Sequence, residues 1–302
     1  MPRRSMSGDL WDCYTGGACE RFEGEGGGSS ADWSLPREVT FTPCDDGDSR
    51  LVNIYESKQH VFSPTGTRVW EASLLLCSYI HARRDTFLRR DVCELGCGAA
   101  LPSLYLLSLR KQCHTLDGGG SGSASGKLCI TDCDVEVLDS LYENLVAQSV
   151  GASSALGRVV VDMLDWARPR DCDALSDCDL IIGSALVYLG EHALHLSNLI
   201  ATFLTSADKQ REVVIIQIRD RSGWDDLILQ LTSLNVSFIC EEVTEEMYFW
   251  AQNISSRLIK TSETFYVLKQ FCFPTDLVSS TTESFVTTKR EDFVVLKCYN
   301  II

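Results

Sequence analysis

The sequence has no Cys-x-x-Cys pair, no long apolar run, few histidines and a shortage of positive charge. Each deficit excludes something. A membrane span needs about 20 consecutive apolar residues, so no spanning helix is expected. The opening Met1-Pro-Arg-Arg-Ser-Met6 has two arginines but no apolar stretch behind them, unlike a secretory signal. The acids Asp9, Asp12, Glu20, Glu23 and Glu25 argue against a transit peptide. A cytoplasmic chain is therefore expected, with the nucleus a compatible second compartment. The 14 cysteines come no closer together than Cys93/Cys97 and Cys129/Cys133, each pair spanning three residues. In a reducing compartment such cysteines serve as small buried hydrophobes. The five histidines are scattered, and His192 and His195, one helical turn apart, have no third ligand nearby. No metal site is expected. Lys and Arg number 27 against 42 Asp and Glu, a formal net charge of −15. That charge repels phosphate backbones and disfavours nucleic acid, while a basic protein partner suits it.

What is present is ordinary globular material. Hydrophobic residues are 45% and charged residues 23% of 302, enough for one large domain with tails, which is expected to be a monomer. Residues 1–36 are rich in Gly, Ser and acids, with little apolar periodicity, and read as a disordered arm. Stretches 38–42 and 51–55 alternate like strands around a turn-rich 43–48, which predicts a hairpin. Residues 69–84 have helical spacing through Trp70, Leu74, Cys77 and Ile80.

From Asp91 onward, short apolar runs alternate with helical stretches. Strands are expected over 92–95, 127–131, 158–162, 179–184, 212–219, 236–243 and 264–271. Helices are expected over 99–109, 135–148, 191–204 and 224–234. Such alternation predicts an α/β, Rossmann-like, doubly wound seven-stranded sheet, mainly parallel. The last two strands have no helix between them, which suggests an antiparallel hairpin at one edge. The domain would cover 37–273, with a glycine- and serine-rich flexible insertion at 114–126. Residues 274–302 form an extension without an assigned role, although 293–299 has the composition of one more strand.

Glu94-Leu-Gly-Cys-Gly98 is the most informative segment. A strand ending in Gly-x-Gly before a helix lets backbone approach a bound cofactor, because the second glycine has no Cβ in the way. A dinucleotide fingerprint places a third glycine three residues further on, where this chain has Leu101. Its absence suits a cofactor without a pyrophosphate. Asp132 ends the following strand, where an acid can take both hydroxyls of a ribose; Asp134 is placed to cap the next helix.

Together with Arg68-Val-Trp-Glu-Ala-Ser-Leu-Leu-Leu76, Glu143-Asn-Leu145, Leu164-Asp-Trp166 and Asp179-Leu-Ile-Ile-Gly-Ser184, these segments resemble a methyltransferase family. It is the family of the seven-β-strand protein-lysine methyltransferases (methyltransferase family 16), class I enzymes that use S-adenosyl-L-methionine. The similarity runs in order over about residues 60–272. It implies a Rossmann-like protein N-methyltransferase whose substrate is a protein side chain, lysine by default. Carried over by position, Trp70 packs against the cofactor, and Gly96, Cys97 and Gly98, with Glu94 before them, surround its methionine part. Asp132 binds the ribose, Trp166 lies beside the adenine, and Ser184 lines the pocket.

One position departs from the family. After the fourth strand its members carry an acid, two residues and an aromatic; here the stretch is Ala185-Leu-Val-Tyr188. Tyr188 remains as the candidate catalytic residue, while Ala185 replaces the carboxylate that positions the acceptor amine. Glu191, one turn further, is a candidate substitute. Two other readings stay open: a weak or inactive cofactor-binding interaction module, and a methyltransferase with a non-lysine or small-molecule acceptor. One expectation needs only the composition. Shortening the 118–126 run should change stability by no more than about 1 kcal/mol, because loop closure depends weakly on length. Urea unfolding of the full and shortened chains checks it.

Overall fold

A computed structural model of the chain describes residues 4–5, 36–41, 50–55, 69–116, 126–147, 159–168, 174–205, 210–219, 223–252, 255–258 and 293–299. The strands, in chain order, are β1 (Arg4–Ser5), β2 (Pro36–Phe41), β3 (Arg50–Tyr55), β4 (Val92–Leu95), β5 (Leu128–Asp132) and β6 (Val159–Met163). They continue with β7 (Leu180–Ser184), β8 (Glu212–Ile218), β9 (Ser237–Glu242), β10 (Ser255–Leu258) and β11 (Phe293–Tyr299). The helices are α1 (Glu71–Ala82), α2 (Arg84–Arg89), α3 (Leu101–Leu116), α4 (Val135–Ala147), α5 (Ala174–Asp177), α6 (Gly190–Thr205), α7 (Trp224–Ser233) and α8 (Glu245–Gln252).

The main sheet has the order β1-β6-β5-β4-β7-β8-β11-β9. Strands β6, β5, β4, β7 and β8 are parallel, and the order reverses at β4. It is the α/β doubly wound sheet that the alternation predicts. Successive residues on a strand face opposite sides, and here both sides are apolar. Val92, Ile130, Ile182, Val214 and Ile216 join one core cluster with α1 and α3. Cys93, Cys129, Ile181, Val213 and Ile215 join the other with α6 and α7. Parallel sheets are covered on both faces for this reason. The described cysteines are free. Hydrogen bonds with Cys129 and Cys178, then burial, push the Cys93 thiol well up, so the three act as core filler.

Three features go beyond the expectations. The antiparallel partner of β8 is β11, inserted between β8 and β9 and antiparallel to both. Residues 264–271, expected to form an edge hairpin with 236–243, lie outside the described residues. Residues 293–298 are buried, so the C-terminal extension supplies an internal strand. Sequence periodicity cannot show this, because a strand's partner is set by long-range pairing. Second, Arg4–Ser5 of the arm pairs antiparallel with β6, which covers backbone groups that an edge strand leaves open. The rest of the arm, from 6 to 35, lies outside the described residues, as do 117–125 and 274–292. Third, α8 follows β9 where no helix was expected. It sets Trp250 in a stack on His81 with centroids 5.0 Å apart.

The β2–β3 pair forms as expected, and β10 extends it on the β2 side into a separate three-stranded sheet. Because Leu296 on β11 is fully buried, Leu296→Ala should destabilise the chain by about 2–5 kcal/mol. A chain ending at Asp292 should lose its cooperative transition. Urea denaturation followed by tryptophan fluorescence measures both.

Candidate active site

The site begins with the loop after β4. Gly96 and Gly98 have φ of +52° and +53°, left-handed values that are natural for glycine and disfavoured for residues with a Cβ. The loop is tied to β5 at several points. The Cys97 amide donates to the Thr131 carbonyl at 2.9 Å, and the Thr131 hydroxyl donates to the Glu94 carbonyl at 2.7 Å. The Gly98 amide donates to Asp132 Oδ2 at 3.1 Å. Asp132 Oδ1 accepts the Asp134 amide at 3.1 Å. Burial pushes the Asp132 carboxyl up, opposed by the amide bonds from Gly98, Asp134 and Cys133.

Glu94 sits behind this loop. It is 1% exposed, and its Oε2 accepts the Ser103 amide at 3.2 Å from the first turn of α3. Burial, with the Asp132 charge adding, pushes its carboxyl up to about 8.

A second loop follows β7. Ala185 has φ +52°, a conformation that costs roughly 1–2 kcal/mol for a residue with a Cβ and that Asp and Asn adopt more readily. Its amide donates to the Ile216 carbonyl at 2.8 Å. Gln217, fully buried on β8, brackets the next turn. Its Nε2 donates to the Val187 carbonyl at 2.9 Å, and its Oε1 accepts the Val187 amide at 3.3 Å. Gly223 closes the packing from behind: with φ +92°, a Cβ there would stand 2.7 Å from the Leu189 carbonyl oxygen.

Between the two loops lies a cavity of about 630 Å³, within the roughly 300–1,000 Å³ of small-molecule sites. Trp70, Gly96, Cys97, Gly98, Asp132, Trp166, Ser184, Ala185 and Tyr188 all line it. The sequence-predicted residues therefore converge from five segments. Glu94 is the exception; it supports the loop from outside the lining. Glu191 lines the cavity, but its side chain is 77% exposed, with Oε1 3.7 Å from His195 Nε2.

Sequence reasoning missed Ser73, Asp165 and His192 as lining residues. Ser73 follows Trp70 by one helical turn and donates its hydroxyl to the Trp70 carbonyl at 2.5 Å. His192 follows Tyr188 by four residues, a spacing that was available as a signal. Its ring stands perpendicular to Tyr188 and Trp166, with centroids 6.2 and 6.4 Å away.

The lining also tests which ligand fits. It contains Asp132, Asp134, Asp165 and Glu191 but no Lys or Arg among its described residues. A pyrophosphate would meet carboxylates there. A nucleoside with a cationic centre finds an acid for its hydroxyls, indole rings and a favourable charge. S-adenosylmethionine, with its sulfonium, fits this description.

Strand order, glycine loop and acid define a Rossmann-like domain that holds a nucleoside cofactor at the carboxyl ends of its strands. More particularly, the family described as lysine methyltransferase matches residues 48–234, and the chain belongs to it. It is 28% identical over 167 residues to the protein N-lysine methyltransferase METTL21A of Xenopus tropicalis, covering 55% of this chain and 66% of that protein. It is 29% identical over 122 residues to methyltransferase-like protein 22 of Mus musculus, covering 40% and 27%. Against the human protein-lysine N-methyltransferase EEF2KMT it is 25% identical over 158 residues, covering 50% and 44%. The chain thus spans less than two thirds of the length of these relatives.

The raised Glu94 carboxyl has a thermodynamic consequence. Unfolded, this group loses its proton near 4.5; folded, near 8. The folded state binds the extra proton between those values, so the stabilising contribution is complete below pH 4.5 and declines as pH rises to about 8. Glu94→Gln can still accept the Ser103 amide and has nothing to ionise. It should flatten the fall in urea midpoint across that window, as a pH series on both proteins would show.

Proposed function

We propose that the chain is an S-adenosylmethionine-dependent protein N-methyltransferase acting on lysine in a basic segment of its protein substrate. The observation that carries the reading is the single cavity joining the Gly96–Gly98 loop, Asp132 and Trp166 to Tyr188. Family membership supports both the cofactor and the acceptor type. S-adenosylmethionine, when bound, supplies a methyl group activated on a positively charged sulfur.

This chain's residues would contribute placement and charge. The loop of Gly96, Cys97 and Gly98 offers backbone close approach for the methionine part. Asp132 suits the ribose hydroxyls and Trp166 the adenine, while Trp70 and Ser184 close the sides. Tyr188 and Ala185 stand on the β7 loop, on the acceptor side. Methyl transfer to nitrogen is governed by approach and by a free lone pair, so fixing both partners in register supplies most of the acceleration. The acids at Asp134, Asp165 and Glu191 favour a cationic peptide and oppose nucleic acid.

Calorimetry should show binding of S-adenosylhomocysteine and none of NAD. Gly98→Val, which puts a β-branched residue at a left-handed position beside the cofactor, should abolish that binding. Tritiated methyl donor incubated with lysate should leave label in methyl-lysine after acid hydrolysis. Tight NAD binding without a response to S-adenosylhomocysteine would overturn the proposal. Cofactor binding without any labelling would favour the interaction-module reading.

A further inference from the structure

Single exposed leucines are ordinary on a protein surface, so their placement decides what they mean. Leu189 and Leu194 are 56% and 43% exposed, and each lies in the chain between residues that line the cavity. Tyr188 and Glu191 flank the first, His192 and His195 the second. Neither leucine is part of the lining itself. Both therefore stand on its rim, at the start of α6.

The rim is acidic as well as apolar. Glu191, with its side chain 77% exposed, precedes Leu194 by three residues on α6, and residues so spaced are neighbours on a helix surface. Asp226, exposed in the first turn of α7, stands close to the other leucine. Its Oδ2 would be 2.6 Å from a Cβ on Gly190, the residue that follows Leu189. Each exposed leucine thus has a carboxylate beside it.

We propose that Leu189 and Leu194 dock the substrate: the protein segment that delivers the lysine carries apolar side chains next to it, within a basic stretch. The inference deepens the reading of this cavity as a methyl-transfer site and rests on it. An extended segment advances about 3.3 Å per residue, so a neighbour of the lysine crosses the rim as the lysine enters. Charge draws a basic segment toward Glu191 and Asp226, yet that attraction is screened by salt and distinguishes one basic stretch from another poorly. Contact with the two leucines removes apolar surface from water and selects by side chain. A second copy of this chain, with the same net charge of −15, would bring like charge to the rim.

Two peptides of equal charge test the assignment on the full chain with S-adenosylhomocysteine bound. One is acetylated Arg-Leu-Lys-Leu-Arg amide, the other its Arg-Ser-Lys-Ser-Arg counterpart. Calorimetry should show the leucine peptide binding about fivefold or more tighter. Added salt should weaken both peptides and leave the preference. In Leu189→Ser/Leu194→Ser the preference should vanish, while S-adenosylhomocysteine binds as in the wild type. Equal affinities in the wild type, binding of neither peptide, or an undiminished preference in the double variant overturns the proposal.

A second readout uses the unaltered chain and does not depend on how a variant folds. The leucine peptide, made with diazirine-bearing leucines, should crosslink on illumination to residues 189–194. Crosslinks confined to other segments overturn the assignment. So does self-association of the wild type that the double variant loses in sedimentation, which would give the rim to a second copy. A wild-type chain that does not bind S-adenosylhomocysteine overturns the underlying reading instead.

Discussion

The hydrogen bond from the Gly98 amide to the Asp132 carboxylate, at 3.1 Å, holds the two halves of the cofactor side in register. It joins the ends of adjacent parallel strands, β4 and β5, where the chain leaves the sheet and no ladder bond is available. The Thr131 carbonyl and hydroxyl add two further ties to the same loop. Left-handed glycines on either side of Cys97 let the loop turn away from the sheet, so that it lines the cavity with no Cβ at Gly96 or Gly98. Glu94 pins the far side of the loop to the start of α3. A Cβ on Gly96 would approach the Trp166 ring to 3.3 Å.

The loop after β7 uses a different device. Here the chain leaves β7 and is held by β8, through the Ile216 carbonyl and both ends of the Gln217 amide. The buried Gln217 imitates a neighbouring strand and satisfies the donor and acceptor of Val187, which burial would otherwise leave open. Tyr188 and the start of α6 are thereby fixed with respect to the sheet. Ala185 retains the left-handed backbone that suits an Asp or Asn, although its side chain carries no oxygen.

How much of this was legible depends on the length scale of each feature. The glycine loop, Asp132 at a strand end and the Trp70 helix are local patterns, since a turn needs particular residue types at adjacent positions. Their convergence on one cavity followed from the predicted parallel topology, which brings the strand ends to one edge. Glu94 stands outside the lining and accepts the Ser103 amide, because a residue's number on a strand does not say whether it faces the cavity or the helix behind. Residues 293–299 read as a strand without a place, because their partners on β8 and β9 lie 50 or more positions earlier in the chain.

The sequence by itself determined the fold class and the glycine loop. Each is written in residue type and short-range spacing, through glycine's access to positive φ and the two periodicities of strand and helix. Only the tertiary structure decided where β11 inserts, that Glu191 faces solvent while His192 turns inward, and that Gln217 clamps the loop bearing Tyr188. Those outcomes depend on which side chains compete for the same buried space and on hydrogen bonds between residues far apart in the chain, neither of which local spacing encodes.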